Sequence, residues 1–366
     1  MTATVEKWCV AGPWLWPWYE AAFARSLTEQ GIEVVSYSWS SLFHRFTEGQ
    51  PEPKSPSIWA RCENRLGWGV LVSQVNRDLL KVVAKHRPSV LLLYNARLVT
   101  PKSLRAIKRR QPDCVIVSYC NDNLFTRHPW PDTYRHIRRS IPLSDVNLAY
   151  RNSDIPLLES SGSRVTHLMR SYYDPTTDYP VTGALIDERF KCDVLFAGHF
   201  EPDQRIGHLE ALLRARVNLH LHGGGWPNAG ASLAPDSPLR SLINTQPVVG
   251  PDYRAAICGA KVVLSFLSSN NLDTYTRRNF QIPAMGAFQL AQHTDDLAHL
   301  FQEGKEIEFF RTSEELVDKA TFYIKNEAAR TRIAAAGRLA VIAGKHDVSS
   351  RVDELRRHLG KRNILQ

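Results

Sequence analysis

Two adjacent arginines, Arg277 and Arg278, stand at the start of a stretch that is predicted to be a helix from about Thr276 to Ala284. A helix N-terminus carries partial positive charge and free backbone N–H groups, and guanidinium groups add planar sets of donors. An anion such as a phosphate could bind there. Gln281 lies one helical turn further on, where its amide could bind a hydroxyl group. The alternative interpretation is a surface helix whose arginines are merely solvated.

Two parts of the chain repeat one arrangement, a short apolar strand followed by a glycine turn. Residues 192–198 (CDVLFAG) parallel residues 9–12 (CVAG), and a predicted helix and strand follow the earlier turn. Strand, glycine turn, helix and strand form the start of a Rossmann-like half, and open α/β sheets bind ligands at the carboxyl ends of their strands. The arginine pair belongs to the second half, after a predicted core strand over 261–267. Gly286 is expected to end the helix, because glycine readily adopts the left-handed conformation.

Residues 278–290, Arg-Asn-Phe-Gln-Ile-Pro-Ala-Met-Gly-Ala-Phe-Gln-Leu, resemble the signature R-x-F-E-I-x-A-x-G-G-F-L-L of CgeB-like (spore-maturation-type) glycosyltransferases, which are related to the group 1 glycosyltransferases. The similarity continues through 294–297, 301–310, 313–317 and 333–337 to His346. It covers the C-terminal half well and the N-terminal half only in outline. The resemblance implies an α/β protein of the GT-B fold, with two Rossmann-like domains facing each other across a cleft.

The resemblance also implies roles for single residues in transfer from a nucleoside-diphosphate sugar, which could be UDP- or GDP-linked. Arg278 would hold the diphosphate and stabilise the negative charge that grows on it as the sugar leaves, without a metal ion. Gln281 falls where related enzymes carry a glutamate that binds the ribose hydroxyls. Asp273 falls where the wider group has the first glutamate of an E-x7-E pair. The other donor-side residues are Gly198, His199, Arg205, His222, Gly223, Trp226, Tyr253 and Arg277.

Gln281 and Asp273 both depart from the glutamates of the family pattern. An amide can still accept and donate hydrogen bonds to a diol, but it carries no charge. The departures leave open a catalytically weak or inactive GT-B scaffold that binds sugar nucleotides or partners in a glycosylation complex. A sugar-nucleotide epimerase on the same fold is a further alternative. The sequence contains no D-x-D motif and no zinc-binding pattern, so we predict no metal site and no cofactor.

The N-terminal half offers candidates for the acceptor side of such a reaction. Gly12 and Trp14 follow the first strand, Asn95 ends a later one, and Asp122 follows another, with His128 six residues further on. Asp122 or His128 could take the proton of an acceptor hydroxyl. The alternative is that the Asn-Asp-Asn run at 121–123 caps a turn through side-chain to backbone hydrogen bonds. The aromatic run that begins at Trp14 could be core or a platform for a sugar or lipid.

Composition and charge favour anionic partners. The 366 residues are 43% hydrophobic and 23% charged, which is typical of a globular protein of two domains, and the net charge is +9. Sugar nucleotides and anionic membrane surfaces fit this charge. No nucleic-acid-binding signature accompanies it, so we predict no specific nucleic acid partner. The basic residues cluster in three places: Lys102, Arg105 and Arg109; Arg135, Arg138 and Arg139; and Arg351, Arg356, Arg357, Lys361 and Arg362.

We predict an acceptor domain over 1–175 and a donor domain over 186–345, joined by a linker at 171–183. A basic helix over 346–366 could pack back on the first domain. One long helix is predicted over 61–86, from apolar residues at helical spacing. No apolar run approaches the roughly 20 residues of a membrane helix, and there is no signal-peptide pattern. With six scattered cysteines, this predicts a cytoplasmic protein that could contact the inner membrane face. The expected acceptor is a cell-surface glycan, a lipid-linked sugar or a protein.

Overall fold

The computed structural model describes residues 6–45, 54–126, 132–181, 183 and 186–361. Two candidates from the sequence, His128 and Arg362, lie outside these residues. The chain divides into two compact units, Met1–Ser171 with Val348–Gln366 as unit 1 and Tyr172–Asp347 as unit 2. Each unit contains one sheet whose strands all run parallel. The prediction of two Rossmann-like α/β domains is confirmed.

The sheet of unit 1 has six strands in the order β2-β1-β3-β4-β5-β6. Its strands are β1 Lys7–Gly12, β2 Glu33–Ser38, β3 Val90–Tyr94, β4 Val115–Tyr119, β5 Val146–Ala149 and β6 Thr166–Leu168. All five side chains of β3 are buried, as expected for a central parallel strand covered on both faces. The chain passes from β1 to β2 on one side and returns to β3 on the other, so the order reverses between β1 and β3.

Helices cover this sheet and share its hydrophobic core with the strands and the connecting loops. After a π-helical turn at Pro17–Ala21 they are α1 Ala22–Glu29, α2 Ser40–Phe43, α3 Ile58–Leu66, α4 Val70–His86, α5 Pro101–Arg110, α6 Arg135–Ser140 and α7 Asp154–Ser160. The last helix of the chain, α14 Val348–Lys361, belongs to the same unit. Among all helices in the described part of the chain, none is both long enough and apolar enough to cross a bilayer.

The prediction of one helix over 61–86 is wrong, because the chain breaks between α3 and α4. Gly67 and Gly69 both have positive φ, at 64° and 133°, a backbone conformation that ends a right-handed helix. The carboxylate of Glu63 in α3 then accepts hydrogen bonds from the N–H groups of Leu71 and Val72 at the start of α4. A side chain of α3 therefore caps the N-terminus of α4.

Helix α14 packs within unit 1 and uses part of the C-terminal basic cluster to do so. Arg356 donates to Glu6 at 3.1 Å and to Gln30 at 3.3 Å. Arg351 is buried and donates to the carbonyl of Ser171 at 3.5 Å and to Glu354 of the same helix at 3.1 Å. These two guanidinium groups therefore hold the helix in place instead of presenting charge to a partner.

The sheet of unit 2 has five strands in the order β11-β10-β9-β7-β8. They are β7 Cys192–Ala197, β8 Leu219–His222, β9 Ala260–Ser265, β10 Gln289–Gln292 and β11 Glu308–Phe310. The helices are α8 Arg205–Arg214, α9 Gly250–Gly259, α10 Arg278–Ala284, α11 Asp295–Leu300, α12 Ser313–Lys325 and α13 Glu327–Ala343. Here the order reverses between β7 and β9, which marks the carboxyl ends of these strands as the expected ligand position.

Candidate functional site

The loops after β7 and β8 touch through their glycines. A Cβ on Gly223 would overlap the carbonyl oxygen of Gly198, and Gly223 itself has φ +156°. The N–H of Gly198 donates to the carbonyl of His222 at 2.8 Å. Trp226 is fully buried, and its indole N–H donates to the carbonyl of Gly198 at 2.9 Å. Trp226 therefore fixes the loop from the core side and does not present its ring to a ligand.

Arg205 ties the loop after β7 to the loop after β9. Its guanidinium donates to the carboxylate of Asp203 at 2.7 and 2.9 Å, to the carbonyl of His199 at 2.7 Å and to the carbonyl of Leu267 at 3.2 Å. The side chain is buried, and Glu201 pairs with it as well. Because its donors are engaged with protein oxygens, the structure places Arg205 behind the site, as the group that holds its loops.

Arg278 differs from Arg205 because no carboxylate of the described residues pairs with it. Its Nε donates to the carbonyl of Ala197, the last residue of β7, at 2.7 Å. One terminal nitrogen lies 3.3 Å from the position that a Cβ on Gly198 would occupy. Neither terminal nitrogen bonds to any residue that the structure describes. The half-buried guanidinium thus offers two donors at the carboxyl end of β7. This arrangement is suited to binding a phosphate through two parallel hydrogen bonds.

His199, in the loop after β7, supplies a second hydrogen-bond donor near the guanidinium of Arg278. Its side chain is exposed, and its backbone N–H makes no hydrogen bond to the described residues. The neighbouring residue Gly198 uses its N–H to bond to the last residue of β8, and Phe200 uses its N–H to bond to the loop after β8. One backbone donor is therefore left beside Arg278 on a loop that is otherwise fixed.

Arg277, which the sequence grouped with Arg278, points to a carboxylate. Its guanidinium lies 3.2 Å from Asp178, and the two side chains are 8% and 4% exposed. The amide nitrogen of Gln281 donates to both oxygens of Asp178, at 3.0 and 3.1 Å. A carboxylate can only accept here, so the carbonyl oxygen of Gln281 must point away from Asp178. A glutamate at position 281 would place two carboxylates side by side, which accounts for the amide at this position.

Sequence reasoning missed Asp178. It lies in the segment predicted to be a linker, and 99 residues separate it from Arg277. The local signal was the turn Asp174-Pro-Thr-Thr-Asp178, in which the N–H of Asp174 donates to Asp178 at 2.9 Å. Such a turn indicates an ordered segment, but it does not reveal the distant partner.

The remaining donor-side candidates also lie in unit 2. His222 ends β8, and burial lowers the pKa of its imidazole, so the ring is neutral at pH 7. Tyr253 is half-buried in α9, against the hydrophobic cluster around Phe190 and Ile257. Asp273 is half-buried in the loop before α10, where its N–H donates to the carbonyl of Ser268 at 3.0 Å. Their roles in donor binding stay predictions.

The acceptor-side candidates of unit 1 lie where its strand order reverses. Asn95 follows β3 with φ +45°, and its amide donates to Asp122 at 3.3 Å. The hydroxyl of Tyr134 donates to the same oxygen of Asp122 at 2.8 Å. The other oxygen of Asp122 makes no bond to the residues described, so this half-buried carboxylate is oriented with one oxygen available as a base.

Glu20 is a second carboxylate at this place, and the sequence did not reveal it. It is 2% exposed, its side chain lies against Gly12, and it accepts a hydrogen bond from the N–H of Trp14 at 3.0 Å. Trp14 has φ +51°, so the carboxylate holds a strained turn after β1. Burial raises the pKa of Glu20 to about 7, against hydrogen bonds from backbone N–H groups that lower it.

This pKa predicts a pH-dependent stability. The folded pKa is raised, so the contribution of neutral Glu20 is fully present below pH 4.5 and is lost as the pH rises through about 7. We expect the Glu20→Gln variant to gain about 2–3 kcal/mol of unfolding free energy relative to wild type between pH 5 and pH 8. Urea unfolding of both proteins at the two pH values measures this. An unchanged difference between the two proteins would contradict the buried-acid assignment.

Comparison with known proteins gives one family match and several structural neighbours. Residues 205–357 match the family model described as "Glycosyl transferase-like", which is less than half of the chain. HepE from Anabaena, in complex with UDP and glucose, matches with a TM-score of 0.64 at 14% identity, over 97% of this chain and 100% of that one. The fold is GT-B. No curated protein matches the sequence.

Two further GT-B neighbours have similar coverage. Sucrose-phosphate synthase from Thermosynechococcus elongatus matches with a TM-score of 0.69 at 11% identity, over 97% of this chain and 99% of that one. A glycosyltransferase from Rickettsia africae matches with a TM-score of 0.63 at 12% identity, over 99% of each chain. The predicted GT-B fold is thus confirmed.

Proposed function

We propose that the protein is a CgeB-like glycosyltransferase that moves a sugar from a nucleoside-diphosphate sugar to a glycan, glycolipid or protein acceptor. The observation that carries the proposal is Arg278, a half-buried cation fixed at the end of β7 with both terminal nitrogens unbonded to the described residues. UDP is the favoured nucleotide, because HepE is found with UDP and with UDP-glucose. We place the reaction in the cytoplasm, where sugar nucleotides are the available anionic substrates for a protein of net charge +9.

The charge of the leaving group explains the need for such a cation. When the bond between the sugar carbon and the diphosphate oxygen breaks, the electron pair stays on that oxygen. Arg278 and the N–H of His199 would stabilise the added charge without a metal ion, because they are fixed before the reaction starts. The acceptor oxygen forms the new bond, and its proton passes to a base. Asp122 is the candidate base for an inverting reaction, and the donor phosphate is the candidate for a retaining one.

Gln281 is proposed to bind the ribose despite its missing charge. Asp178 fixes the amide nitrogen, so the carbonyl oxygen is presented as an acceptor for a hydroxyl group. An acceptor oxygen of fixed direction is what the glutamate of related enzymes would supply. Arg277 then supports the site indirectly, by neutralising Asp178.

Calorimetry and turnover with a panel of UDP- and GDP-sugars test the proposal. We expect one sugar nucleotide to bind and to release nucleoside diphosphate, at a rate that a metal chelator does not change. Binding without any turnover, even with added acceptor, would favour the inactive scaffold. Conversion to an epimeric sugar nucleotide would favour an epimerase, and loss of turnover with the chelator would contradict metal independence.

A further inference from the structure

Helix α3 turns an apolar face to the solvent, the reverse of an ordinary surface helix. Ile58 and Trp59 are 62% and 76% exposed, whereas Ala60 is fully buried. Asn64 of the same helix is engaged within the protein, since it accepts a hydrogen bond from Arg97 at 2.9 Å. Glu63 is used in the same way, because it caps α4.

The turn after α3 carries two more exposed apolar side chains. Trp68 is 62% exposed and Val70 is 74% exposed, on either side of Gly69. Monomeric proteins rarely expose clustered large apolar side chains without an interaction to explain them. We call Ile58, Trp59, Trp68 and Val70 the α3 surface.

The charge around the α3 surface is positive. Arg61 and Arg65 are exposed on the same side of α3, and residues 54–70 contain three basic residues against one acidic residue. That acidic residue, Glu63, bonds to the backbone of α4. Arg135 of α6 also approaches this segment, 3.7 Å from the position of a Cβ on Gly67. No unengaged carboxylate of this segment would repel an anionic surface.

We propose that the α3 surface docks on the interface of an anionic lipid bilayer. Tryptophan prefers the boundary between lipid headgroups and hydrocarbon, where its ring is apolar and its N–H stays hydrated. Arg61 and Arg65 would remain at headgroup level, with their stems along the apolar patch and their charges on the phosphates. A shallow apolar patch bordered by arginines is the pattern of a segment that lies on a membrane.

Tryptophan and arginine are also enriched in protein interfaces, so the experiment must separate a bilayer from a protein partner. The charge around the α3 surface is mainly basic, which favours an anionic bilayer over a protein partner. This inference extends the proposed function, but vesicle binding is measured without any sugar transfer. Failure of the proposed bilayer docking can therefore be distinguished from failure of the proposed sugar transfer.

Sedimentation with vesicles of phosphatidylcholine, with and without phosphatidylglycerol, tests the proposal on the full chain. We expect wild type to bind the anionic vesicles and to be released by salt. Trp59→Ser with Trp68→Ser should weaken binding by roughly tenfold or more. Arg61→Gln with Arg65→Gln should weaken it by about fivefold per arginine. The matched control is Leu339→Ser with Ile342→Ser, which removes two exposed apolar side chains from α13 and should bind as wild type.

Three results would overturn the proposal. The first is wild type that does not bind anionic vesicles, and the second is a tryptophan double variant that binds them as wild type does. The third is self-association of wild type, measured by light scattering, that the same double variant abolishes while vesicle binding persists. That result would assign the α3 surface to a second copy of the chain. Circular dichroism shows that the variants are folded before any of these results is interpreted.

Discussion

Replacing Arg278 with alanine should lower kcat/KM for sugar transfer by roughly 10²–10³-fold, the loss that follows removal of one fixed donor to a developing anion. The guanidinium is held by Ala197 and has no carboxylate partner among the described residues, so its charge is available to the diphosphate. The affinity for UDP should fall as well, since the ground state already carries the two phosphates. Steady-state kinetics and calorimetry with UDP measure the two effects.

Arg338→Ala is the matched control for this variant. Arg338 is also half-buried in unit 2, and its Nε also donates to a backbone carbonyl, that of Ala284 at 3.3 Å. It belongs to α13 and not to the loops at the carboxyl ends of β7 and β8. We expect its kcat/KM to stay close to that of wild type. Equal losses in the two variants would show that Arg278 acts through general stability and not through the donor.

Replacing Asp178 with alanine should destabilise the protein by roughly 3–5 kcal/mol, because it removes the carboxylate that lies against the buried charge of Arg277. The side chains of this pair are only 8% and 4% exposed, so water screens them little. Asp252→Ala is the control, since its pair with Arg189 is about half exposed and should contribute roughly 0–1 kcal/mol. Urea unfolding of the three proteins measures the difference. Equal stabilities would contradict the buried pair.

The milder substitution Asp178→Asn tests what the pair does for binding. Asparagine can donate as well as accept, so the amide of Gln281 is no longer held in one orientation. We expect a higher KM for the sugar nucleotide with little change in kcat, because a ribose contact binds ground state and transition state alike. An unchanged KM, in a protein shown to be folded, would argue against Gln281 as the ribose ligand.

The fold could be predicted because its signals are local. The apolar strands at 9–12 and 192–198 and their glycine turns identify two Rossmann-like halves without any long-range information. The broken helix shows the limit of such signals. Apolar residues at helical spacing ran through 61–86, but Gly67 and Gly69 adopt positive φ, and Val70 is exposed. Helical periodicity indicates which residues share a face of a helix. It does not show where the helix breaks or whether that face is buried.

The site could be predicted only in part. The arginine pair was found from its spacing, but the division of work between Arg277 and Arg278 depends on Asp178, which is 99 residues away. Gln281 is similarly far from Asp178 in the chain, so the sequence did not show why an amide stands at position 281. Trp226 was predicted as a donor-side residue, yet its indole is fully buried, because the glycines before it bring the loops together and leave the ring on the core side. Tertiary partners decide such roles, and one sequence does not show them.

The most direct measurement is a crystal structure of the protein with UDP or a UDP-sugar bound. The account predicts diphosphate oxygens about 3 Å from both terminal nitrogens of Arg278 and from the N–H of His199, with a ribose hydroxyl on the carbonyl oxygen of Gln281. A diphosphate bound elsewhere on the chain, with Arg278 free of it, would contradict the account.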